Sequence, residues 1–359
     1  MMSPKRYLAW FLSVVTLAIA ALVAFNAFAD YYILHDRNGP SIQTVSGFER
    51  VLKPAWIDSI EPSLVFVGSS RMREGFDPVL IDPTFHVNSF DYGVSSITAY
   101  EARRFTQDAL GHPSVKTIVM ALDAFTGNGE AQKIGPGFDE LRLTVTADGK
   151  PTPRRPLWIF TTRYLSGGAA GMHALGLYML LQLGPGQTAS DRPDLFNAYS
   201  HMTTNIFRRD LTNRDERVLR IGPWQHQQFE VTLGALCHRG DVRTILFFPP
   251  DNYAMIDRYL HNDRKDFIAF KETVLADVER HNATCEGKVA LFDFLNHNAI
   301  TDDVLKNGRS ADYIDLIHFR PPVGMRLLRR MLGNGGKDSH LGVELTGPST
   351  TLLSGQKPD

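Results

Sequence analysis

The run Leu64-Val65-Phe66-Val67-Gly68-Ser69-Ser70-Arg71 limits the fold of this chain more than any other stretch. It is a short apolar segment, bounded by Pro62 and closed by a glycine, and it reads as a strand buried on both faces, the kind that builds a parallel sheet. Open α/β sheets present their ligands at the carboxyl ends of their strands. A serine there exposes its hydroxyl while the amides of the following turn face the same space. A nucleophile and an oxyanion donor then come from one piece of backbone. Taken alone, Gly-Ser-Ser after a strand is also an ordinary turn or an anion-binding loop.

The pattern repeats downstream. Phe85 to Phe90 reads as a second strand with Asp91-Tyr92-Gly93-Val94-Ser95 as its loop, 98–110 as a helix, and Val115 to Leu122 as a third strand that ends at Asp123. Residues 225–238 read as a helix, 243–248 as a fourth strand, 289–292 as a fifth, and 323–332 as a closing helix. The segment 266–282 is amphipathic, with Phe267, Phe270, Val274 and Val278 on one face. This alternation predicts an α/β fold with a five-stranded parallel sheet and helices on both faces.

Between about 125 and 223 the rhythm stops, and we read an inserted cap region over the carboxyl edge of the sheet. Its apolar stretch from Tyr164 to Leu183, with Gly167, Gly168 and Gly171, is expected to be buried or membrane-facing. A second crossing there would put residues 70 and 318 on opposite sides of a membrane. The domain limits follow as 61–333, with a connector at 31–60 broken by Pro40 and Pro54. The tail 334–359, rich in Gly, Ser, Thr and Pro, is expected to be disordered.

Residues 1–30 set the compartment. Lys5 and Arg6 precede an uncharged, apolar run from Tyr7 to Ala29, and a span needs roughly 20 such residues. Positive charge on its amino side predicts a cytoplasmic N-terminus with the rest of the chain outside, and Tyr31 and Tyr32 suit the membrane interface. Ala27-Phe28-Ala29 also fits a signal-peptide cleavage site. We favour the uncleaved anchor, because the run exceeds the roughly 7–15 residues of a signal h-region. Both readings export the domain. With 38 basic and 39 acidic residues and a net charge of −1, nucleic acid is not an expected partner, since phosphate neutralisation needs clustered basic charge.

A base for the serine is available in Asp315-Leu316-Ile317-His318. The bland reading of that motif is a capping aspartate and a surface histidine. Gly68-Ser69-Ser70-Arg71, Gly93 in Asp91-Tyr92-Gly93-Val94-Ser95, and Asp315-Leu316-Ile317-His318, taken in this order with the strands between them, resemble the blocks of the SGNH (GDSL-type) hydrolases. The likeness is to the membrane-anchored bacterial branch that includes the alginate acetylation and teichoic acid D-alanylation proteins. It spans roughly residues 60 to 332, apart from the insertion.

The resemblance implies a flavodoxin-like three-layer fold, Ser70 as nucleophile, His318 as general base, Asp315 as its orienting carboxylate, and oxyanion donors at the Ser70 and Gly93 amides. It also implies an exported O-acyl esterase or O-acyltransferase at the bacterial inner membrane. The domain would face the periplasm or cell exterior, need no cofactor and no metal, and act on a cell-surface polysaccharide or other acyl ester. An alternative is a non-catalytic glycan-binding or assembly subunit that partners a membrane-bound O-acyltransferase.

One position departs from the family pattern. The third block normally ends in an asparagine that donates to the oxyanion, and this chain has Asp123. A carboxylate there must pair with a cation or stay protonated, and Arg71, on the neighbouring strand end, is the expected partner; Asn128 is a candidate replacement donor. The other reading of Arg71 is that it binds an acidic group of the glycan.

The two cysteines, Cys237 and Cys285, precede the fourth and fifth strands. Parallel neighbours would bring them to one edge of the sheet, so an exported chain is expected to join them in a disulfide; two separate buried thiols are the alternative. His226, His238, His261, His281 and His297 show no metal-ligand spacing, and HExxH and CxxC are absent.

Overall fold

The computed structural model describes residues 3–35, 49–127, 134–182, 219–262, 264–303, 310–333 and 336–346. The strands are β1 Leu64–Gly68, β2 Ser89–Gly93, β3 Thr117–Ala121, β4 Arg243–Phe248, β5 Val289–Asp293 and β6 Val343–Glu344. They form one sheet of order β2-β1-β3-β4-β5-β6. The first five are parallel, and β6 is antiparallel to β5. The sheet is therefore mixed and six-stranded, not purely parallel and five-stranded. β1 is buried along its whole length and flanked on both sides, as its unbroken apolar run requires.

The helices are α1 Pro4–His35, α2 Glu49–Ile60, α3 Ser70–Gly75, α4 Pro78–Phe85, α5 Ala99–Leu110, α6 Arg155–Phe160, α7 Gly167–Leu181, α8 Pro223–Cys237, α9 Tyr253–Asn262, α10 Arg264–Thr284 and α11 Pro321–Met331. A π-turn over Thr161–Leu165 joins α6 to the residues before α7. α5, α8 and α10 pack on one another in series, while α11 packs on α3 and α4. Right-handed crossovers between parallel strands put these two groups on opposite faces of the sheet. Phe66, Phe76, Phe247 and Phe319 lie in the shared apolar core between β1, β4 and α11.

Three local expectations change. The second strand starts later than 85, because Asp77 caps a helix through Val79 N at 3.0 Å, Pro78 fits its first turn, and His86 ends it in the left-handed region. The connector contains α2, with Pro54 inside it. Burial of Leu52, Ala55, Trp56 and Ile57 compensates for an interior proline, a penalty of about 3 kcal/mol. The tail is ordered over 336–346, where Leu341 and Leu345 are buried and Leu345 N donates to Leu291 O at 2.8 Å; 347–359 lie outside the described residues.

Residues 134–182 of the insertion start beside the amino end of α5 and run down the helical layer, away from the carboxyl edge; 125–127 and 219–223 stay near the end of β3, where Gly127 N donates to Arg220 O at 2.9 Å, and 128–133 and 183–218 lie outside the described residues. Gly135 N donates to Glu101 at 2.9 Å near the start of α5, and Arg104 pairs with Glu140 at 2.8 Å. Thr144 Oγ1 donates to the carbonyl of Asp108 at 3.0 Å. Arg155 and Arg163 then bind Asp58 at 2.9 Å and Ser59 at 2.7 Å, at the end of α2 that leads into β1. Cys237 and Cys285 form a disulfide between the end of α8 and the segment before β5.

Pro4–Ala29 is long and apolar enough to cross a membrane, and it suits an anchor or a signal helix alike. α1 continues past Ala29 to His35.

Candidate active site

The site is built at the carboxyl ends of β1, β3 and β4. At Gly68 a Cβ would lie 2.5 Å from Met72 Cγ and 3.0 Å from Ala121 Cβ, so the chain turns sharply there only with glycine. Ser69 caps α3 by accepting from Arg71 N at 3.1 Å and donates its hydroxyl to Asp123 Oδ2. Ser70 is the first residue of α3, so its own amide has no intrahelical partner.

The loop carrying Asp315 and His318 docks against the end of β4, with Asn252 N donating to Leu316 O at 2.9 Å. It closes on itself through Ile314 N to His318 O at 2.8 Å. Phe319 packs edge-on against Phe76, which leaves His318 on the side of Ser70. Ser70 Oγ lies 2.7 Å from His318 Nε2, and His318 Nδ1 lies 2.6 Å from Asp315 Oδ2. Asp315 Oδ1 accepts from Ile317 N at 2.8 Å and His318 N at 2.7 Å.

Burial would raise the pKa of Asp315, but the hydrogen bond and charge of His318 and the two amides outweigh it and hold the carboxyl at about 2. An ionised carboxylate only accepts. His318 Nδ1 is therefore the donor in that bond, and in the neutral imidazole Nε2 accepts from the Ser70 hydroxyl. That polarity prepares an oxygen for attack on a carbonyl carbon.

Arg71 sits beside this chain of bonds. Its Nε is 3.4 Å from Asp123 Oδ2 and its NH1 is 2.9 Å from Asp251 Oδ1. Asp251 in turn accepts from Tyr259 Oη at 2.9 Å. Burial alone would lower the pKa of the guanidinium, but Asp251 first and Asp123 second raise it, so the group is a fixed charge. Asp123 thus has the cation that its position demanded. Its Oδ1 is buried with no hydrogen-bond partner among the described residues. Asp251, just after Pro249-Pro250 at the end of β4, is the residue that sequence reasoning missed. Its place at a strand end was the available signal.

Gly93 does not join the site as an open donor. Its amide donates to Asp91 Oδ1 at 2.6 Å, and Asp91 Oδ2 is 3.2 Å from Lys53 Nζ, both side chains fully buried. A Cβ on Gly93 would meet Arg73 N at 2.5 Å. The glycine therefore serves close packing of β2 against α3. Asn128 lies outside the described residues.

His226 lies with Glu230 and Asp277, their donor atoms within 4.8 Å of one another, a grouping across two helices that sequence spacing could not reveal. Arg280 NH2 is 3.0 Å from Asp277 Oδ1, so a cation already balances that cluster. His281 lies beside the disulfide-bonded Cys237 and Cys285, and its Nε2 is 2.6 Å from Gly287 O.

Comparison with models of known protein families finds no match for this chain, and no curated protein matches it.

Proposed function

We infer that the protein is a serine-dependent O-acyl esterase or O-acyltransferase. The observation that carries this reading is the continuous bond chain from Ser70 Oγ through His318 to Asp315, at 2.7 Å and 2.6 Å. Ser70 Oγ attacks the acyl carbonyl carbon and forms a new C–O bond as its proton passes to His318 Nε2. The tetrahedral intermediate collapses by breaking the ester C–O bond, and His318 returns the proton to the leaving alkoxide. Water or a sugar hydroxyl then attacks the acyl-serine carbonyl while His318 takes its proton, and as the acyl–Oγ bond breaks His318 returns that proton to Ser70 Oγ. The Ser70 amide is the oxyanion donor that the fold leaves without an intrahelical partner.

The resemblance to SGNH hydrolases adds the setting, a membrane-anchored domain facing the periplasm or cell exterior and acting on acyl esters of a surface polysaccharide. A second reading is supported by the engaged Gly93 amide and by the carboxylate at Asp123. Both weaken an oxyanion hole and favour a glycan-binding or assembly subunit beside a membrane-bound O-acyltransferase.

The two readings separate on covalent labelling. A fluorophosphonate probe should label the wild type, and Ser70→Ala and His318→Ala should each abolish nearly all labelling and acetyl-ester turnover. The double variant should be little worse than either single one, because the residues act as a unit. A wild-type protein that takes no label supports the binding subunit.

A further inference from the structure

We propose that α6, the π-turn and α7 form with α1 a lipid-embedded mount at the amino-terminal edge of the strands, so that Ser70 opens away from the membrane. The mount rests on α1 as a span; its consequence for substrate rests on the esterase reading above. α1 does not hang free of the domain. Asn26 and Ala29 are fully buried, and Asn26 Nδ2 donates to Tyr164 O at 2.9 Å and to Ser166 O at 3.5 Å, while α1 packs along both the π-turn and α7.

The surface continuous with α1 is apolar and open. Leu157, Trp158, Phe160, Leu165, Tyr178 and Leu181 are exposed, Leu181 at 82%, and no Asp, Glu, Lys or Arg occurs from Tyr164 to Leu183. Isolated exposed apolar residues are ordinary, but a contiguous set flanking a candidate span marks a contact surface. Trp158 and Tyr178 are the side chains that favour a headgroup boundary. Of the charged residues bordering this stretch, Arg155 and Arg163 are turned to the domain, bound to Asp58 and Ser59, while Arg154 at the start of α6 is exposed.

Length and topology decide how α7 sits. Its 15 residues cover about 22 Å, less than the roughly 30 Å of a hydrocarbon core. β3 before it and β4 after it are paired in one sheet, so the chain returns to the side it left. α7 therefore enters the lipid beside α1 without crossing it.

The position of this mount sets the direction of the site. Asp58 and Ser59 end α2, and Asn88 Nδ2 donates to Glu61 O at 3.3 Å, so these contacts lie where β1 and β2 begin. Ser70, Asp123 and Asp251 lie where β1, β3 and β4 end. Strands of this length, at about 3.3 Å per residue, separate the two levels by on the order of 17 Å before any loop is counted. The ester that reaches Ser70 is then carried on a solvated molecule, such as a polymer, and not on a lipid headgroup at the bilayer surface.

The test uses the full chain in lipid vesicles. Its own cysteines are disulfide-bonded, so an introduced cysteine is the sole thiol. Leu157→Cys and Leu181→Cys should react with a membrane-impermeant maleimide at least tenfold more slowly in intact vesicles than in detergent. Tyr253→Cys, just past the end of β4, should react equally in both. Labelling of the first two at the Tyr253→Cys rate in vesicles would overturn the mount, as would protection that persists in detergent, which marks a protein contact. Retention of the chain after a carbonate wash reports α1 separately, and the labelling needs no enzymatic activity.

Discussion

Arg71 is held between two carboxylates, Asp123 and Asp251, beneath a serine whose position depends on the same turn. Removing it leaves two buried charges, so Arg71→Met should cost about 3–5 kcal/mol in denaturant unfolding, far more than the loss of one exposed ion pair. In a double-mutant cycle with Asp251→Asn, much of that loss should disappear, whereas additive effects would show that the pair carries no energy. Arg71→Lys should not restore the wild type, because an ammonium cannot reach two carboxylates from one fork. The pairing with Asp123 was legible from neighbouring strand ends. Asp251 was not, because several acids follow strands and no local pattern shows which one meets the guanidinium.

Acid stability follows from two residues. Asp315 and Glu49 have folded values of about 2 against ordinary values of 3.8 and 4.5; for Glu49, burial pushes upward, but Lys53 and Arg73 prevail. Their folded values lie below the unfolded ones, so the unfolded chain binds protons first as pH falls. Their stabilisation, on the order of 2–3 kcal/mol each, is complete above the unfolded values and is lost toward the folded values. Glu49→Gln should therefore be less stable than the wild type at pH 7, and the two should converge as pH approaches 2. Parallel stability curves across that range would reject the assignment.

Among the described elements, α11 sits in close backbone contact with α3. A Cβ on Gly324 would lie 1.8 Å from the carbonyl oxygen of Gly75, so α11 and α3 touch backbone to backbone just below the contact of Ser70 and His318. Gly324→Ala should destabilise the fold by about 1–3 kcal/mol and slow fluorophosphonate labelling at temperatures where the protein remains folded. Normal labelling with reduced stability would show that α11 supports the fold without setting the site. The helix itself was legible in the sequence, as were β4, whose bounds match the reading, and α5, whose start the structure closes with a capping box of Thr98 and Glu101. β2 was misplaced because Asp77, Pro78 and His86 start and stop a helix, and α2 was missed because Pro54 reads as a breaker.

For the whole molecule, the layered parallel sheet was legible because strand and helix alternate, and the order 2-1-3-4-5 expected with the flavodoxin-like resemblance is the order of the first five strands. The course of the insertion was hidden. It depends on ion pairs such as that of Arg155 with Asp58, 97 residues apart in sequence, which no local pattern announces. β6 was hidden for another reason: two residues of strand in a Gly/Ser/Thr-rich tail leave no periodicity to read.

That small strand has a consequence out of proportion to its length. β5 would otherwise present its outer row of amides and carbonyls to solvent, beside a largely apolar run from Val289 to Phe292, and such a row is a template for another chain. β6 covers its carboxyl end, pairing with Phe292 and Asp293, and is clamped by Leu341 and Leu345. A protein truncated after Gly333 should still fold its first five strands and still take the fluorophosphonate label at low concentration. It should also self-associate as its concentration rises, visible as growing light scattering that the full chain lacks. Two residues of tail would then decide whether this edge is closed to the chain's own copies.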